Sequence, residues 1–245
     1  MGSSSKMNLN ELKDLAVNAA IKAGSFLNKN KFEEKEIHEE EGRDIKLIID
    51  QDTEKLIRSN LEATDIPILG EEYGGKIANG KYWVIDPIDG TANYFRGLDE
   101  CCVSIALMEN DEALIGVIYN FNNDQMYTAV KNHGAFLNNT KISVSDIASR
   151  DKASITTGFP ASESIESSMS FLENLKGWKK VRMFGSAALS CAYVASGKCD
   201  YYAEKGVYLW DIAAGICLVK EAGGFADFKL IDKDRYEVVF SNNLL

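Results

Sequence analysis

The chain has 245 residues, 45% of them apolar, and carries a formal net charge of −10. Such a length and apolar content suit one large domain or two intimately packed halves. The acidic balance argues against nonspecific nucleic-acid binding, and it requires cations wherever an anionic substrate is to be held.

Met1 to Lys6 reads as an expression remnant ahead of a native start at Met7. Asn8 to Asn28 follows as an amphipathic helix, with Leu9, Leu12, Ala16, Ala19, Ala20, Ala23, Phe26 and Leu27 at helical spacing and Asn8 or Asn10 as its cap. Because the first apolar positions are interleaved with Lys and Asp, no signal peptide is expected. No apolar run reaches membrane-span length. Lys29 to Arg43, with the run Glu39-Glu40-Glu41, reads as a solvated charged loop or, functionally, as a lid. A helix is predicted from Asp50 to Leu61, placing Glu54 one turn after Asp50.

Two apolar runs then end in acids. Ile66 to Leu69 leads to Gly70-Glu71-Glu72, and Tyr82 to Ile85 leads to Asp86-Pro87-Ile88-Asp89-Gly90-Thr91. A strand that ends in carboxylates at a turn lets several oxygens converge on a hard cation. Pro87 bends the backbone and bares a carbonyl. Gly90 allows close approach, and Thr91 reads as a helix N-cap beside which an anion can sit. Taken alone, Asp-Pro-Ile-Asp-Gly also reads as an ordinary turn.

Strands are predicted at Cys101 to Met108, Ala113 to Tyr119 and Gln125 to Val130, with a hairpin over Gly134 to Val144 centred on Asn138-Asn139. Polar Ser145 to Lys152 marks a junction, dividing the chain into residues 7–145 and 146–245 packed as one catalytic domain. Beyond it the pattern alternates: strand 153–157, helix 162–175, strand 180–184, helix 185–195, strand 200–203, helix 209–222 and strand 238–240. Asp211 falls in the first turn of the last helix, where an acid suits the dipole. The five cysteines, Cys101, Cys102, Cys191, Cys199 and Cys217, lack metal or redox spacing and read as buried, reduced thiols of a cytoplasmic protein. His38 and His133 sit in polar segments and offer little for a zinc site or a triad.

Gly-Glu-Glu at 70–72, Trp-Val-Ile-Asp-Pro-Ile-Asp-Gly-Thr at 83–91, Trp-Asp-Ile-Ala-Ala-Gly at 210–215 and Glu-Ala-Gly-Gly at 221–224 occur in this order. Together they closely resemble the inositol monophosphatase family of magnesium-dependent, lithium-inhibited sugar phosphatases, over nearly the whole chain. The resemblance implies an α/β fold of α/β/α/β/α layers, a homodimer, and two or three Mg²⁺ ions. It also implies roles. Glu71, Asp86, Asp89, Asp211 and the Ile88 carbonyl match the metal ligands. Asp50 and Thr91 match the pair that orients the attacking water, with Glu71 among the catalytic acids. Gly90, Thr91, Gly185, Ser186, Ala187 and Glu204 match the substrate contacts. One departure is Ile48, where relatives usually carry Thr two residues before the acid.

Oxygen-only ligands suit Mg²⁺ on their own chemistry, and two such ions about 4 Å apart are a common phosphoryl-transfer device. No Ser or Cys stands in a nucleophile motif, so water is the expected attacker. The expected substrate is a small polyol phosphate, foremost inositol monophosphate. Phosphoadenosine phosphate, histidinol phosphate and fructose bisphosphate are the alternatives, the first needing a stacking wall and a cationic subsite, for which Lys180 and Arg182 are candidates. A noncatalytic regulatory dimer is the reading from another class. Neither a nucleic-acid nor a membrane partner is expected.

Overall fold

The computed structural model describes residues 7–41, 44–159, 164, 166 and 169–245. Helix α1 (Leu9–Lys29) opens with a capping box. The Asn8 side chain accepts from the Asn10 and Glu11 amides, and Glu11 accepts from the Asn8 amide. Strands β1 (Ile37–Glu41) and β2 (Asp44–Leu47) pair antiparallel as a separate ribbon. The solvated loop expected at 29–43 is therefore corrected over its second part. The charge run conceals a segment that satisfies its backbone by folding onto residues 44–47.

Helix α2 (Ile48–Leu61) and a short 3₁₀ turn precede β3 (Ile68–Gly70) and β4 (Lys81–Asp89). After α3 (Thr91–Arg96) come β5 (Cys102–Glu109), β6 (Glu112–Asn120), β7 (Gln125–Val130), β8 (Gly134–Leu137) and β9 (Thr140–Ile142). Strands β3 to β9 form one seven-stranded sheet in sequence order, with only β3 and β4 parallel. Asn138 and Asn139 both take positive φ in the β8–β9 turn, as a two-residue hairpin requires.

The rest of the chain gives β10 (Ser154–Thr156), α4 (Met169–Glu173), β11 (Lys180–Arg182), α5 (Ala187–Ala195), β12 (Tyr201–Tyr208), α6 (Leu209–Glu221), β13 (Phe225–Asp232) and β14 (Arg235–Ser241). Its strands make a five-stranded sheet in the order β11-β10-β12-β14-β13. Of the helix predicted at 162–175, the structure shows Met169–Glu173, and much of its first half lies outside the described residues. Strand β12 runs on to Tyr208 because β14 pairs along its whole length. Strand β13, hidden by its charges and half-exposed face, was not predictable from alternation.

The layers follow from which faces are apolar. On β4, Trp83 and Ile85 join the core under α1 and α2, while Tyr82 and Val84 join the core under α5 and α6. Burial on both faces is why β4 reads as a continuous apolar run. Helices α5 and α6 lie between the two sheets, since Tyr202 of β12 joins their core as well. Tyr201, on the opposite face of β12, meets Trp178, and Phe171 of α4 lies on that side. The result is the expected α/β/α/β/α stack, with five buried, unpaired thiols.

One contact sets the position of α6. A Cβ at Gly116 of β6 would sit 2.3 Å from the Ala214 carbonyl oxygen and 3.1 Å from Cys217. The obstacle is backbone, which cannot swing aside. Gly116→Ala should therefore lower the unfolding free energy by about 1–3 kcal/mol in urea titrations. A loss below a few tenths would show that α6 is not seated this closely.

Candidate active site

Strand β4 carries Asp86 and Asp89 to its C-terminal end, and α6 brings Asp211 to the same point in its first turn. One oxygen from each of these three lies within 4.8 Å of the others. Glu71 stands outside that group but shares a hydrogen bond with Asp86, at the turn that follows β3. All four line a cavity of about 770 Å³ together with Ile88, Gly90, Thr91, Gly185, Ser186, Ala187 and Glu204. The acids read from distant parts of the sequence thus meet in one place, and the residues matched to substrate contacts surround them.

Each acid is held by a local device. Asp211 accepts from the Tyr208 amide at 2.7 Å, closing the first turn of α6. Asp86 accepts from the Ile88 amide at 3.0 Å, so the bend at Pro87 is built around its own carboxylate. Asp89 Oδ2 accepts from the Ser186 hydroxyl and from the Ala188 amide at 2.8 Å. Ser186 is also the N-cap of α5, accepting from the Leu189 amide at 3.2 Å. The N-terminus of α5 therefore grips one oxygen of Asp89.

Gly90, not Thr91, caps α3: its φ of +91° is open to glycine, and a Cβ would meet the Glu100 carbonyl at 2.8 Å. Thr91 is the first helical residue. Its hydroxyl lies 2.9 Å from the Ile88 carbonyl oxygen and 3.1 Å from Asp50 Oδ1. Asp50 is buried behind it and accepts from the Leu47 amide through its other oxygen.

Two supports were not legible as such. Glu54, read only as a companion of Asp50, is fully buried. It accepts from the Glu72 and Tyr73 amides at 2.7 and 3.2 Å and pairs with Arg58, fixing the turn that presents Glu71. Asn93 donates to the Glu100 and Phe184 carbonyls at 2.8 and 2.7 Å, tying α3 to the segment that carries Gly185. Lys180 and Arg182 lie exposed on β11, and the basic side chains lining the cavity are Lys46 and Arg235 instead.

The electrostatics match the crowding. Loss of solvent raises Glu71 to about 8, with Asp50 and Glu72 adding repulsion. Asp86 and Asp211 are pushed well above the carboxylate range by burial, then by Glu71 for the former and Asp89 for the latter. The shared proton belongs on Asp86, which donates to Glu71. Asp89 rises only to about 6, because its hydrogen-bond donors offset the burial. Burial also lifts Asp50 and Glu204 to about 7. The one thiol touching the cluster among the described residues, Cys102, stands 3.9 Å from Asp89 Oδ2 as a donor to it, so the converging ligand atoms are carboxylate oxygens, the donor set of a hard divalent cation.

The model of the "Inositol monophosphatase family" matches residues 8–228. This chain belongs to the inositol monophosphatase family. Among its relatives is a protein of Xylella fastidiosa named Nus factor SuhB, 39% identical over 91% of this chain and 84% of that one. Another, from Thermotoga maritima, is named fructose-1,6-bisphosphatase/inositol-1-monophosphatase and is 35% identical over 83% and 80%. The crystal structure of extragenic suppressor protein SuhB from Bartonella henselae superposes with a TM-score of 0.87 at 32% identity, covering 95% and 94%. Inositol monophosphatases act on small phosphorylated substrates with the help of metal, and this chain is an enzyme of that phosphatase family, with an acidic cluster suited to an ion. No described helix is long and apolar enough to cross a membrane.

If the grip of α5 on Asp89 matters, its loss should be measurable. Ser186→Ala removes a helix cap and a donor to Asp89, so stability should fall by about 1–2 kcal/mol. The divalent-cation half-saturation should rise about 10–100-fold, as for other partners of metal ligands. Ser186→Thr, which keeps the hydroxyl, should restore both. Isothermal titration with metal checks this, and an unchanged affinity in the alanine variant counts against the assignment.

Proposed function

We propose that this enzyme hydrolyses a small polyol phosphate, foremost inositol monophosphate, with Mg²⁺, by in-line attack of water. The observation that carries the reading is the meeting of Asp86, Asp89 and Asp211 beside Glu71, with Glu204 lining the same cavity. Glu71, Asp86, Asp89, Asp211 and the Ile88 carbonyl are the groups to hold two or three Mg²⁺ ions. When bound, such ions neutralise phosphate charge and acidify water.

The chain's own residues supply position and proton transfer. The Thr91 hydroxyl, held between the Ile88 carbonyl and Asp50, is placed to orient the attacking water. Asp50, raised to about 7, is poised to take up a proton through Thr91 rather than by direct contact. Gly90 and Thr91 flank the phosphate. Gly185, Ser186 and Ala187 shape the polyol side, where Glu204 accepts from vicinal hydroxyls. Ser186 contributes chiefly through Asp89, to which its hydroxyl is committed. The buried, unpaired thiols support a cytoplasmic location. The uncovered edge strand β11, with Val181 exposed on it, supports a homodimer.

The nucleotide alternative loses its cationic candidates, since Lys180 and Arg182 do not line the cavity. The name of the Xylella relative raises a noncatalytic alternative, against which stands the retention of every matched acid. Phosphate release should be assayed from inositol 1-phosphate, phosphoadenosine phosphate, fructose 1,6-bisphosphate and histidinol phosphate, with Mg²⁺ or with chelator. Mg²⁺-dependent turnover, highest for the polyol phosphates, is expected. No release from any of them, or release undiminished by chelator, would refute the reading.

A further inference from the structure

Arg235 opens β14, paired in register with Tyr208 at the far end of β12. Its guanidinium carbon lies 3.8 Å from the centre of the Tyr208 ring, and one Nη1–H donates to the Gly206 carbonyl at 2.6 Å. Tyr208 in turn stacks on Trp210, with ring centres 4.6 Å apart and planes inclined by 17°. All three side chains line the cavity of the acidic cluster, and the Tyr208 amide is bonded to Asp211. The group therefore stands one tyrosine away from the proposed metal ligands.

Two features of this stack are unused by the chemistry above. Among the described residues, Arg235 forms no ion pair, although Glu39, Glu204 and Asp234 also line the cavity. The other basic group there, Lys46, lies 4.0 Å from Glu72 and faces the acids. The buried Trp210 Nε1–H has no hydrogen-bond acceptor among the described residues. A guanidinium held flat by an aromatic ring and pinned by one carbonyl keeps most of its five donors in a fixed fork. Such a fork fits a phosphate dianion with little ordering cost. The stack does not offer a platform for a base, because the Tyr208 ring already meets both Arg235 and Trp210.

We infer that Arg235, backed by Tyr208 and Trp210, is a second anion subsite that receives the non-reacting phosphate of a bisphosphorylated polyol. This rests on the proposed reading that the reacting phosphate sits at Asp86, Asp89 and Asp211. It makes the cavity two-ended, with an ion-dependent end for chemistry and a guanidinium end for selection. The Thermotoga relative, by its name, acts on both a bisphosphate and a monophosphate. Binding energy from the remote phosphate appears in KM if it is felt equally in ground and transition states.

The test compares fructose 1,6-bisphosphate with inositol 1-phosphate at saturating Mg²⁺ in wild type, Arg235→Gln and Arg235→Lys. Arg235→Gln should lower the bisphosphate-to-monophosphate ratio of kcat/KM about tenfold, through KM of the bisphosphate. Arg235→Lys should recover part of the ratio, since it keeps the charge without the fork. An unchanged ratio in either variant overturns the subsite, whether activity is retained or falls equally on both substrates. If the glutamine variant does not fold, the lysine variant decides, with a severalfold rise in bisphosphate KM expected. Should wild type release phosphate from neither compound, the phosphatase reading itself fails. Calorimetric titration of fructose 1,6-bisphosphate in Ca²⁺ then still reads the subsite, which is overturned if Arg235→Gln binds it as tightly as wild type.

Discussion

Asp86→Asn should lower phosphate release about a thousandfold while leaving the metal-free protein as stable as wild type or more so. The two effects come from the same crowding. Without metal, burial and acidic neighbours keep Asp86 protonated, and it donates a hydrogen bond to Glu71. An asparagine amide has the same shape and also donates, so the empty cluster loses nothing and is relieved of a titrating acid. On the proposed reading, catalysis needs the opposite state, with the carboxylate ionised and sharing cations with Asp89 and Asp211. Removing one ligand forfeits several kcal/mol of charge stabilisation, and about 4 kcal/mol corresponds to the thousandfold loss.

Thermal melts separate these effects. Metal at about a hundred times its dissociation constant stabilises the folded state by about 2.7 kcal/mol. For a chain of this length that is a rise of about 5–10 °C in Tm. Wild type should show this rise with Mg²⁺ and the variant little of it, their metal-free midpoints being equal or reversed. A variant that keeps the full metal-induced rise would remove Asp86 from the ligand set.

What the sequence disclosed and what it hid divide along physical lines. Asp86 and Asp89 were legible because strand, bend and acids are contiguous, and because the motifs at 70–72 and 210–215 set them apart from an ordinary turn. Asp211 was legible by position in a helix first turn and by its match to the family pattern. The Asn138-Asn139 turn was legible because positive φ restricts the choice of residue. Strands β1 and β13 were not, since pairing in them is set by partners and not by alternation. The clasp of Ser186 on Asp89 joins residues 97 apart, and no local pattern announces it. Arg235 belonged to an unremarkable charged turn until β14 was laid beside β12. Glu54 was noticed for its spacing from Asp50, but its bonds to the Glu72 and Tyr73 amides depend on β3 arriving beside α2. Chemistry carried by adjacent residues is readable; support that arrives across the fold is not.

The metal-free enzyme should grow less stable as pH rises from about 5 to 8, and Mg²⁺ should cancel that loss. Glu71, Asp89, Asp50 and Glu204 hold their protons to about 8, 6, 7 and 7 in the folded state. In the unfolded chain the same acids ionise near 4. Across the window between, the folded state binds more protons than the unfolded one, so the slope of unfolding free energy with pH is negative. The stabilisation is complete below about pH 4, declines as the unfolded acids ionise, and is gone once pH passes the folded values. Divalent cations held by Glu71 and Asp89 would displace the protons of those two acids, so the apparent affinity should rise about tenfold per pH unit for each proton released. The gap in unfolding free energy with and without saturating metal should then widen by about 1.4 kcal/mol per pH unit for one proton displaced. Scanning calorimetry from pH 5 to 8, in chelator and in Mg²⁺, measures both curves. The difference between them isolates the groups that metal touches from the other titrating side chains. Parallel curves would mean that no proton leaves when metal binds, and the acids of β4 and α6 would then be ionised already in the empty site.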